Sequence, residues 1–427
     1  MNKWFTIGIG IKRWVFFAFL GVCMIGIGIA STILKLDTYT PLYISSINWV
    51  TIITLFIGGL TVLSFSVIKL YRNLLAPYRR HQQGRLIDVV YAHSKRHKGL
   101  RVVAIGGGTG LPSVLRGLKA YTNNITAVVT MADDGGSSGR LRRELGVLPP
   151  GDLRNNIAAL ADDEQLMTQL FQYRFTEGDL GGHSFGNLFI AAMAGVSGSL
   201  EVALTEVERV LNIQGRVLPS TLEDIHLIAD VRVAGKNHPI RIEGESKIAE
   251  VNGQIETIRI QPVEVMAYPE SVKAILEADL VVIGPGSLFT SIIPNLLVNG
   301  IAQALKQTKA HKVYVCNVAT QPGETDNFTV SDHVMALERY IGRGIIQSVI
   351  ANNANPTLNK GNNTRYVALT PTHHEIFQRY WVHYTDLTDE HQPWRHDPRK
   401  LADALLKIMA LEKTGHGVVS IPVFEQL

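Results

Sequence analysis

The chain has 427 residues, of which 46% are hydrophobic and 18% are charged, with 38 Gly, 17 Pro and 2 Cys. Two cysteines exclude a disulfide-stabilised scaffold, and the high aliphatic content excludes a low-complexity disordered protein. The charge is uneven: residues 1–98 hold 12 Lys/Arg and 2 Asp/Glu, whereas the remainder has a net charge of −6. A mildly acidic body argues against a nucleic-acid partner.

Two uncharged apolar runs near the N-terminus predict a membrane anchor. They cover residues 15–34 and 47–68, and each is long enough to cross a hydrocarbon core of about 30 Å. Basic residues lie before the first run, at Lys12 and Arg13, and after the second, from Lys69 onward. By the positive-inside rule, both ends of this hairpin are cytoplasmic and the short connecting loop is external.

A cleaved signal peptide and a pair of buried core helices are the alternatives to a hairpin anchor. The first run is long for a signal peptide, and a second run follows it closely, so we favour the hairpin. The predicted organisation is a transmembrane hairpin over 1–76, a basic juxtamembrane linker over 77–99 and one domain over 100–427. This predicts a multi-pass protein of the cell membrane with its binding domain in the cytoplasm.

Residues 101–130 have the pattern of the mononucleotide-binding half of a doubly wound sheet. A strand at 101–105 ends in a glycine-rich turn, a helix is predicted over 111–121, and a second strand covers 125–130. Glycines let a backbone approach a phosphate, and a helix N-terminus offers free N–H groups. A tight turn without a ligand is the alternative, because the spacing lacks the final glycine of G-x-G-x-x-G. The candidate phosphate contacts are Gly107, Gly108, Thr109 and Gly110.

Two polar segments follow the second strand, at 132–139 and 149–155. Adjacent aspartates at a strand end must either face solvent or be neutralised by a cation. Two interpretations therefore remain: a flexible acidic turn, or a Mg²⁺ site that is shared with ligand phosphates. Asp152 also fits the N-cap position of a helix. Arg154 fits a bidentate contact with an anionic group. The candidates are Asp133, Asp134, Gly136, Ser137, Ser138, Asp152, Arg154 and Asn155.

Three more polar turns complete the candidate set. The first precedes an apolar helical stretch at 188–195, and the other two follow predicted strands at 279–283 and 312–316. Taken singly these are turns, but several of them at the carboxyl ends of parallel strands predict a ligand site. The candidates are His183, Ser184, Asn187, Gly286, Ser287, Asn317 and Thr320.

The predicted fold is α/β: a Rossmann-like, doubly wound and mostly parallel sheet, preceded by the two-helix transmembrane hairpin. Residues 213–262 are rich in β-branched residues and turn signals, which predicts a β-rich insertion in this domain. An NAD-dependent dehydrogenase fits the opening unit, but no constellation for hydride transfer follows it. The sequence leaves the oligomeric state open, a homo-oligomer included.

In chain order, the motifs resemble the gluconeogenesis factor (YvcK-like) family, within the superfamily of 2-phospho-L-lactate transferase (CofD-like). The motifs are GGGTG (106–110), ADDGGSSG (132–139), PPGDLRN (149–155), GHSFGN (182–187), GPGSLFTSIIPNLL (284–297) and CNVATQPGETD (316–326). The resemblance covers residue 101 to the C-terminus. The two-span anchor departs from the usual soluble member and suggests a membrane-tethered version.

The resemblance implies a Rossmann-like core that binds a nucleotide sugar of the UDP-N-acetylglucosamine type. It also implies a role in cell shape and envelope synthesis during growth on gluconeogenic carbon sources. The transferase branch implies Mg²⁺ held by aspartates, here at Asp134 (or Asp133) and Asp152, and transfer of 2-phospholactate from a nucleotide-activated donor to a deazaflavin. The sequence itself shows no sign of a deazaflavin pocket.

Overall fold

The computed structural model describes residues 11–36, 48–79, 96, 98–162, 164–251, 253–357 and 365–413. The chain divides into two units, Met1–Ala92 and His93–Leu427. The predicted external loop at 37–47, most of the predicted linker over 77–99 and residues 414–427 lie outside the described residues.

The first unit is a pair of long apolar helices, α1 (Ile11–Leu36) and α2 (Trp49–Arg79). Within them, Arg13–Leu36 and Trp49–Tyr71 are long and apolar enough to cross a membrane, and little of either segment is buried in the unit. The two backbones meet at glycines: a Cβ on Gly21 would lie 2.9 Å from the carbonyl oxygen of Gly59, and the reverse distance is the same. The two predicted apolar helices are therefore present.

Aromatic and basic side chains mark both ends of this helix pair. Lys69 Nζ lies 5.9 Å from the ring centroid of Trp14 and 5.5 Å from that of Phe65, and Lys35 Nζ lies 5.2 Å from that of Trp49. Trp14 and Lys35 are 21 residues apart on α1, a rise of about 31 Å. That length matches a hydrocarbon core of about 30 Å with its polar and aromatic anchors at the interfaces.

The second unit is built on two sheets. Its described strands are β1 (Val102–Gly106), β2 (Ile125–Val129), β3 (Arg216–Pro219), β4 (His226–Arg232), β5 (Ile240–Glu243), β6 (Gln254–Gln261), β7 (Leu280–Ile283), β8 (His311–Val315), β9 (Ser348–Asn352) and β10 (Trp381–Thr385). Seven of them form a parallel sheet in the order β10-β9-β8-β7-β1-β2-β3. The other three form an antiparallel sheet in the order β5-β4-β6.

Helices lie between the strands, as in α/β folds. They are α3 (Leu111–Leu118), α4 (Gly136–Leu145), α5 (Gly151–Leu160), α6 (Glu164–Gln172), α7 (Phe185–Ser197), α8 (Leu200–Leu211), α9 (Glu245–Glu250), α10 (Pro269–Glu277), α11 (Ile293–Leu297), α12 (Ile301–Gln307), α13 (Val330–Ile341), α14 (Ile376–Arg379) and α15 (Pro398–Lys413). A π-helical turn at Leu288–Ile292 leads into α11. The fold class is the predicted one: a mostly parallel doubly wound sheet with a small β-rich insertion and two apolar N-terminal helices.

The strand order reverses between β1 and β7. From β1 the chain proceeds to β2 and β3 on one side, and from β7 it proceeds to β8, β9 and β10 on the other. β1, β7 and β8 are buried along their whole length, which explains their continuous apolar sequences. In open α/β sheets, ligands bind outside the carboxyl ends of the strands at such a reversal.

Three local predictions differ from the structure. Apolar residues spaced three or four apart predict helix over 153–175. The structure divides this segment between α5 and α6, because Ala161 is extended and forms a bridge with Ile213. The predicted β-rich insertion is smaller than 213–262, since β3 joins the parallel sheet. The predicted helix over 111–121 ends earlier, at Leu118.

Candidate functional site

The glycine-rich loops that follow β1 and β7 contact each other through their backbones. A Cβ on Gly110 would lie 2.7 Å from the carbonyl oxygen of Pro285, and one on Gly286 would lie 3.3 Å from the carbonyl oxygen of Gly107. Asn317, which follows β8, joins the loop after β7: its Nδ2 donates to the Gly286 oxygen at 2.9 Å, and its Oδ1 accepts from the Gly286 N–H at 3.0 Å. The ends of β1, β7 and β8 therefore form one surface.

The loop after β1 receives a carboxylate from the first turn of α5. The backbone N–H of Gly108 donates a hydrogen bond to Asp152. A Cβ on Gly107 would collide with Asp152 Oδ2 and would lie 2.8 Å from Thr130 Cγ2, at the end of β2. The lack of a side chain at Gly107 is what allows the α5 carboxylate to reach this loop.

The two adjacent aspartates after β2 have different partners. Asp133 accepts hydrogen bonds from the Gly135 N–H at 3.0 Å and from the side chain of Ser138, so its carboxylate lies at the start of α4. Asp134 Oδ1 instead accepts from the Ser246 N–H of α9 at 2.9 Å. Of the two, Asp133 is the one whose charge raises the pKa of Asp152.

Helices α4 and α7 begin next to each other and are joined through their first turns. Ser137 Oγ and His183 Nδ1 are 3.1 Å apart, and Asn187 Nδ2 donates to Ser138 Oγ at 3.2 Å. Burial and the charge of Arg140 lower the pKa of His183, which favours its neutral form. These hydrogen bonds use residues from two separate predicted motifs.

Arg154 connects the first turn of α5 to the start of α7. Its Nη1 donates to Ser184 Oγ at 2.7 Å and to Asn187 Oδ1 at 3.1 Å, and its Nη2 donates to Asn155 Oδ1 at 3.0 Å. Ser184 is also the N-cap of α7, because its side chain accepts from the Asn187 N–H. Three helix N-termini, those of α4, α5 and α7, thus converge with one arginine, which favours an anion.

Carboxyl groups surround this convergence, and burial raises their pKa values. Burial and the charge of Asp133 raise the pKa of Asp152 to about 7. Burial raises the pKa of Glu324 to about 7, although Thr290 Oγ1 donates to its carboxylate at 2.9 Å. Burial and four neighbouring carboxylates raise the pKa of Glu245 to about 8. Several carboxyl groups are therefore crowded together at the site, and a bound cation would stabilise their ionised forms.

The remaining predicted residues lie along the same surface, with one exception. Thr109 and Gly136 are exposed. The side-chain amide of Asn155 donates from Nδ2 to the Gly108 oxygen at 3.4 Å. The hydroxyl oxygen of Ser287 accepts a hydrogen bond from Gln321 at 2.6 Å. Thr320 is the exception. Its N–H and its hydroxyl both donate to the carbonyl oxygen of residue 365, so it holds a neighbouring segment.

Two residues of the site are not among the predicted ones. Glu324 belongs to one of the six motifs, but its sequence neighbours indicate only a turn, and its low exposure of 5% is visible only in the fold. Glu245 comes from the small antiparallel sheet, more than 90 residues after Asp152, and no local pattern distinguishes it from a surface glutamate.

The residues present fit a magnesium ion that is bound together with phosphate. In the described part of the chain, no three His, Cys, Asp or Glu side chains form a group able to hold a metal ion alone. Asp133 and Asp152 offer two carboxylates, and Asp134 is already engaged by α9. Mg²⁺ commonly takes one or two carboxylates and completes its shell with water and substrate phosphates.

Comparisons with known proteins agree with this fold. A solved structure from Bacillus halodurans is 41% identical, with a TM-score of 0.66, covering 71% of this chain and 99% of that one. The "Gluconeogenesis factor" of Bacillus subtilis is 49% identical over 59% of this chain and 78% of its own length. A Nostoc protein named "Putative gluconeogenesis factor" is 44% identical over 95% of this chain and 92% of its own.

The family profile described as 2-phospho-L-lactate transferase CofD matches residues 102–409. This range contains the glycine-rich loops, the aspartates, the convergent helix N-termini and the antiparallel sheet, and it excludes α1 and α2. The chain therefore belongs to the CofD family, and relatives that it matches over most of their length are named as gluconeogenesis factors.

Proposed function

We propose that the domain binds a nucleotide sugar of the UDP-N-acetylglucosamine type and acts as a regulator of gluconeogenic growth. The observation that carries this proposal is the convergence of three helix N-termini, Arg154 and the glycine-rich loops at the strand-order reversal. This arrangement suits the diphosphate of a nucleotide. The names of its relatives support the metabolic role, and a contribution to cell shape and envelope synthesis belongs to the same proposal.

In this proposal each element of the site has a separate task. Arg154 and the first turns of α4, α5 and α7 hold the phosphates. Asp133 and Asp152 would hold Mg²⁺, which when bound neutralises phosphate charge. The Gly108 N–H orients the Asp152 carboxylate. Asn317 holds the loop after β7 through its two hydrogen bonds with Gly286, and that loop packs against the loop after β1.

A second candidate function is a Mg²⁺-dependent transferase similar to 2-phospho-L-lactate transferase. The family match over residues 102–409 favours it, and so does the charge interaction between the carboxylates of Asp133 and Asp152. Such an enzyme moves 2-phospholactate from a nucleotide-activated donor to an acceptor, with helix N-termini and metal stabilising the phosphate charge. Turnover of such a donor by the purified protein distinguishes this function from binding alone.

Calorimetric titration of the full chain in detergent tests the binding proposal. We expect saturable binding of UDP-N-acetylglucosamine in Mg²⁺, weakened at least tenfold by EDTA, because the carboxylates then face the diphosphate without a cation. The Asp152→Asn variant should lose most of this Mg²⁺ dependence. Absence of heat with every uridine nucleotide, with and without Mg²⁺, would contradict the proposal.

We also propose that α1 and α2 cross the cell membrane with the domain on the cytoplasmic side. The two native cysteines give little background for thiol labelling, because Cys316 is buried and Cys23 lies within α1. In intact cells, Thr40→Cys should react with an impermeant maleimide, and Ser94→Cys should react only after lysis. The opposite labelling pattern would reverse the proposed orientation, and equal labelling of both variants in intact cells would exclude a hairpin.

A further inference from the structure

The small antiparallel sheet contributes one acidic side chain to the candidate site. Strand β5 ends at Glu243, and Gly244 leads directly into the short helix α9, whose first residue is Glu245. Gly244 has φ of +106°, and a Cβ there would lie 2.5 Å from Asp134 Oδ2. A side chain at this position would therefore be strained and would also push α9 away from the loop after β2.

Asp134 holds α9 in this place. Its Oδ1 accepts from the Ser246 N–H at 2.9 Å, so a carboxylate stabilises the first turn of the helix that carries Glu245. In the helix that follows Asp134, α4, the Arg142 side chain donates to the carbonyl oxygen of Ile225 at 2.7 Å, just before β4. The loop after β2 therefore holds α9, and the helix that follows this loop, α4, holds the segment just before β4.

The carboxyl group of Glu245 lies close enough to the other acids of the site to interact with their charges. It interacts with Asp133, Asp152, Glu324 and Asp134 through charge, and no hydrogen bond to it occurs among the described residues. The side chain is half-buried, so a ligand in the site can reach it. Glu245 is therefore a polar group at the site whose hydrogen-bonding capacity the described part of the protein does not use.

The charges around Glu245 determine which part of a ligand fits next to it. A phosphate there would add negative charge to five carboxyl groups, whereas the N-termini of α4, α5 and α7 with Arg154 offer a better place. A hydroxyl or amide N–H donates to a carboxyl oxygen without adding charge. A neutral, hydrogen-bond-donating part of a ligand therefore fits next to Glu245 better than a phosphate does.

We propose that Glu245 recognises the hydroxyl groups of the ligand's sugar, and that Asp134 is the residue that positions Glu245. This inference rests on the proposed function, because it takes the diphosphate to lie at the helix N-termini. It assigns the antiparallel sheet a specificity role, since the sheet supplies a group that distinguishes a nucleotide sugar from the bare nucleotide.

Titration of the full chain with UDP-N-acetylglucosamine and with UDP tests this assignment. The Glu245→Ala variant should lower affinity for the nucleotide sugar at least tenfold and affinity for UDP less than threefold, because only the sugar contact is removed. Glu245→Gln keeps the shape and hydrogen-bonding capacity of the side chain. On a logarithmic scale, it should therefore retain at least half of the unaltered protein's preference for the nucleotide sugar over UDP. Glu250→Ala, at the exposed end of the same helix, is the matched control and should change neither affinity.

The positioning role of Asp134 has its own measurement. Asp134→Ala removes the acceptor of the Ser246 N–H, so it should reduce discrimination between the two ligands. It should leave the Mg²⁺ dependence of UDP binding intact, because the metal would lie at Asp133 and Asp152. Equal losses for both ligands in Glu245→Ala, or no loss, overturn the inference while nucleotide binding persists. If the unaltered protein binds neither nucleotide, the proposed function fails and the inference fails with it.

Discussion

Replacing Arg154 by alanine is expected to lower nucleotide affinity about a hundredfold. Arg154 is the cation at the convergence of α5 and α7, and charge-assisted bonds from its guanidinium to a phosphate are among the strong ones in proteins. The substitution also leaves Ser184 and Asn187, which are 0% and 1% exposed, without this donor. We therefore expect the free energy of unfolding to fall by about 2 kcal/mol.

Two further variants separate the role of this arginine from a general loss of charge. Arg154→Lys keeps the charge but not the planar fork, so it should recover only part of the affinity. Arg209→Ala on α8 removes an arginine that is 74% exposed and paired with Glu206, and it should change neither affinity nor stability measurably. An Arg154→Ala protein with unaltered affinity by calorimetry would show that the phosphates bind elsewhere.

The Gly110→Ala substitution is expected to destabilise the domain by about 3 kcal/mol and to abolish ligand binding. The added Cβ would lie 2.7 Å from the Pro285 oxygen and 2.8 Å from Gly286 Cα. Both are backbone atoms of the loop after β7, so no flexible side chain can move away, and the two loops must separate. Thermal and urea unfolding of the full chain in detergent measure the effect.

Gly195 offers a matched control for this glycine substitution. It lies within α7, and apart from its chain neighbours and the nearby backbone of that helix, no atom lies within 4 Å of a Cβ placed there. Gly195→Ala should therefore leave stability unchanged or raise it by up to about 1 kcal/mol, since alanine has the higher helix propensity. If Gly110→Ala is as stable as Gly195→Ala, the contact between the loops after β1 and β7 is not what holds the site together.

The elements that can be predicted from the sequence are those with strong local patterns. The predicted bounds of the apolar strand β1 agree with the structure within one or two residues, and so do those of β7. Because the carboxyl ends of parallel strands share one edge of a sheet, the motifs after β1, β2, β7 and β8 can be grouped from their positions in the sequence alone. The apolar runs of α1 and α2 are equally clear.

What cannot be predicted depends on contacts between distant parts of the chain. Asp133 and Asp134 are adjacent and chemically alike, and only the docking of α9 through Ser246 gives them different partners. Glu245 reaches the site because β4–β6 form a separate sheet, which no local spacing encodes. The break of the predicted helix at Ala161 arises from its bridge with Ile213, another long-range contact.

The hydrogen bond from the Gly108 N–H to Asp152 has a consequence for selectivity among small anions. A free inorganic phosphate that approached this amide would have to compete with a carboxylate that is covalently part of the chain, and whose effective concentration is correspondingly high. A free phosphate ion makes few other contacts that could compensate for displacing the Asp152 carboxylate. A nucleotide sugar bound as we propose would also be held at its base and its sugar, so it would not have to displace this carboxylate. The proposed ligand would therefore be selected over free phosphate.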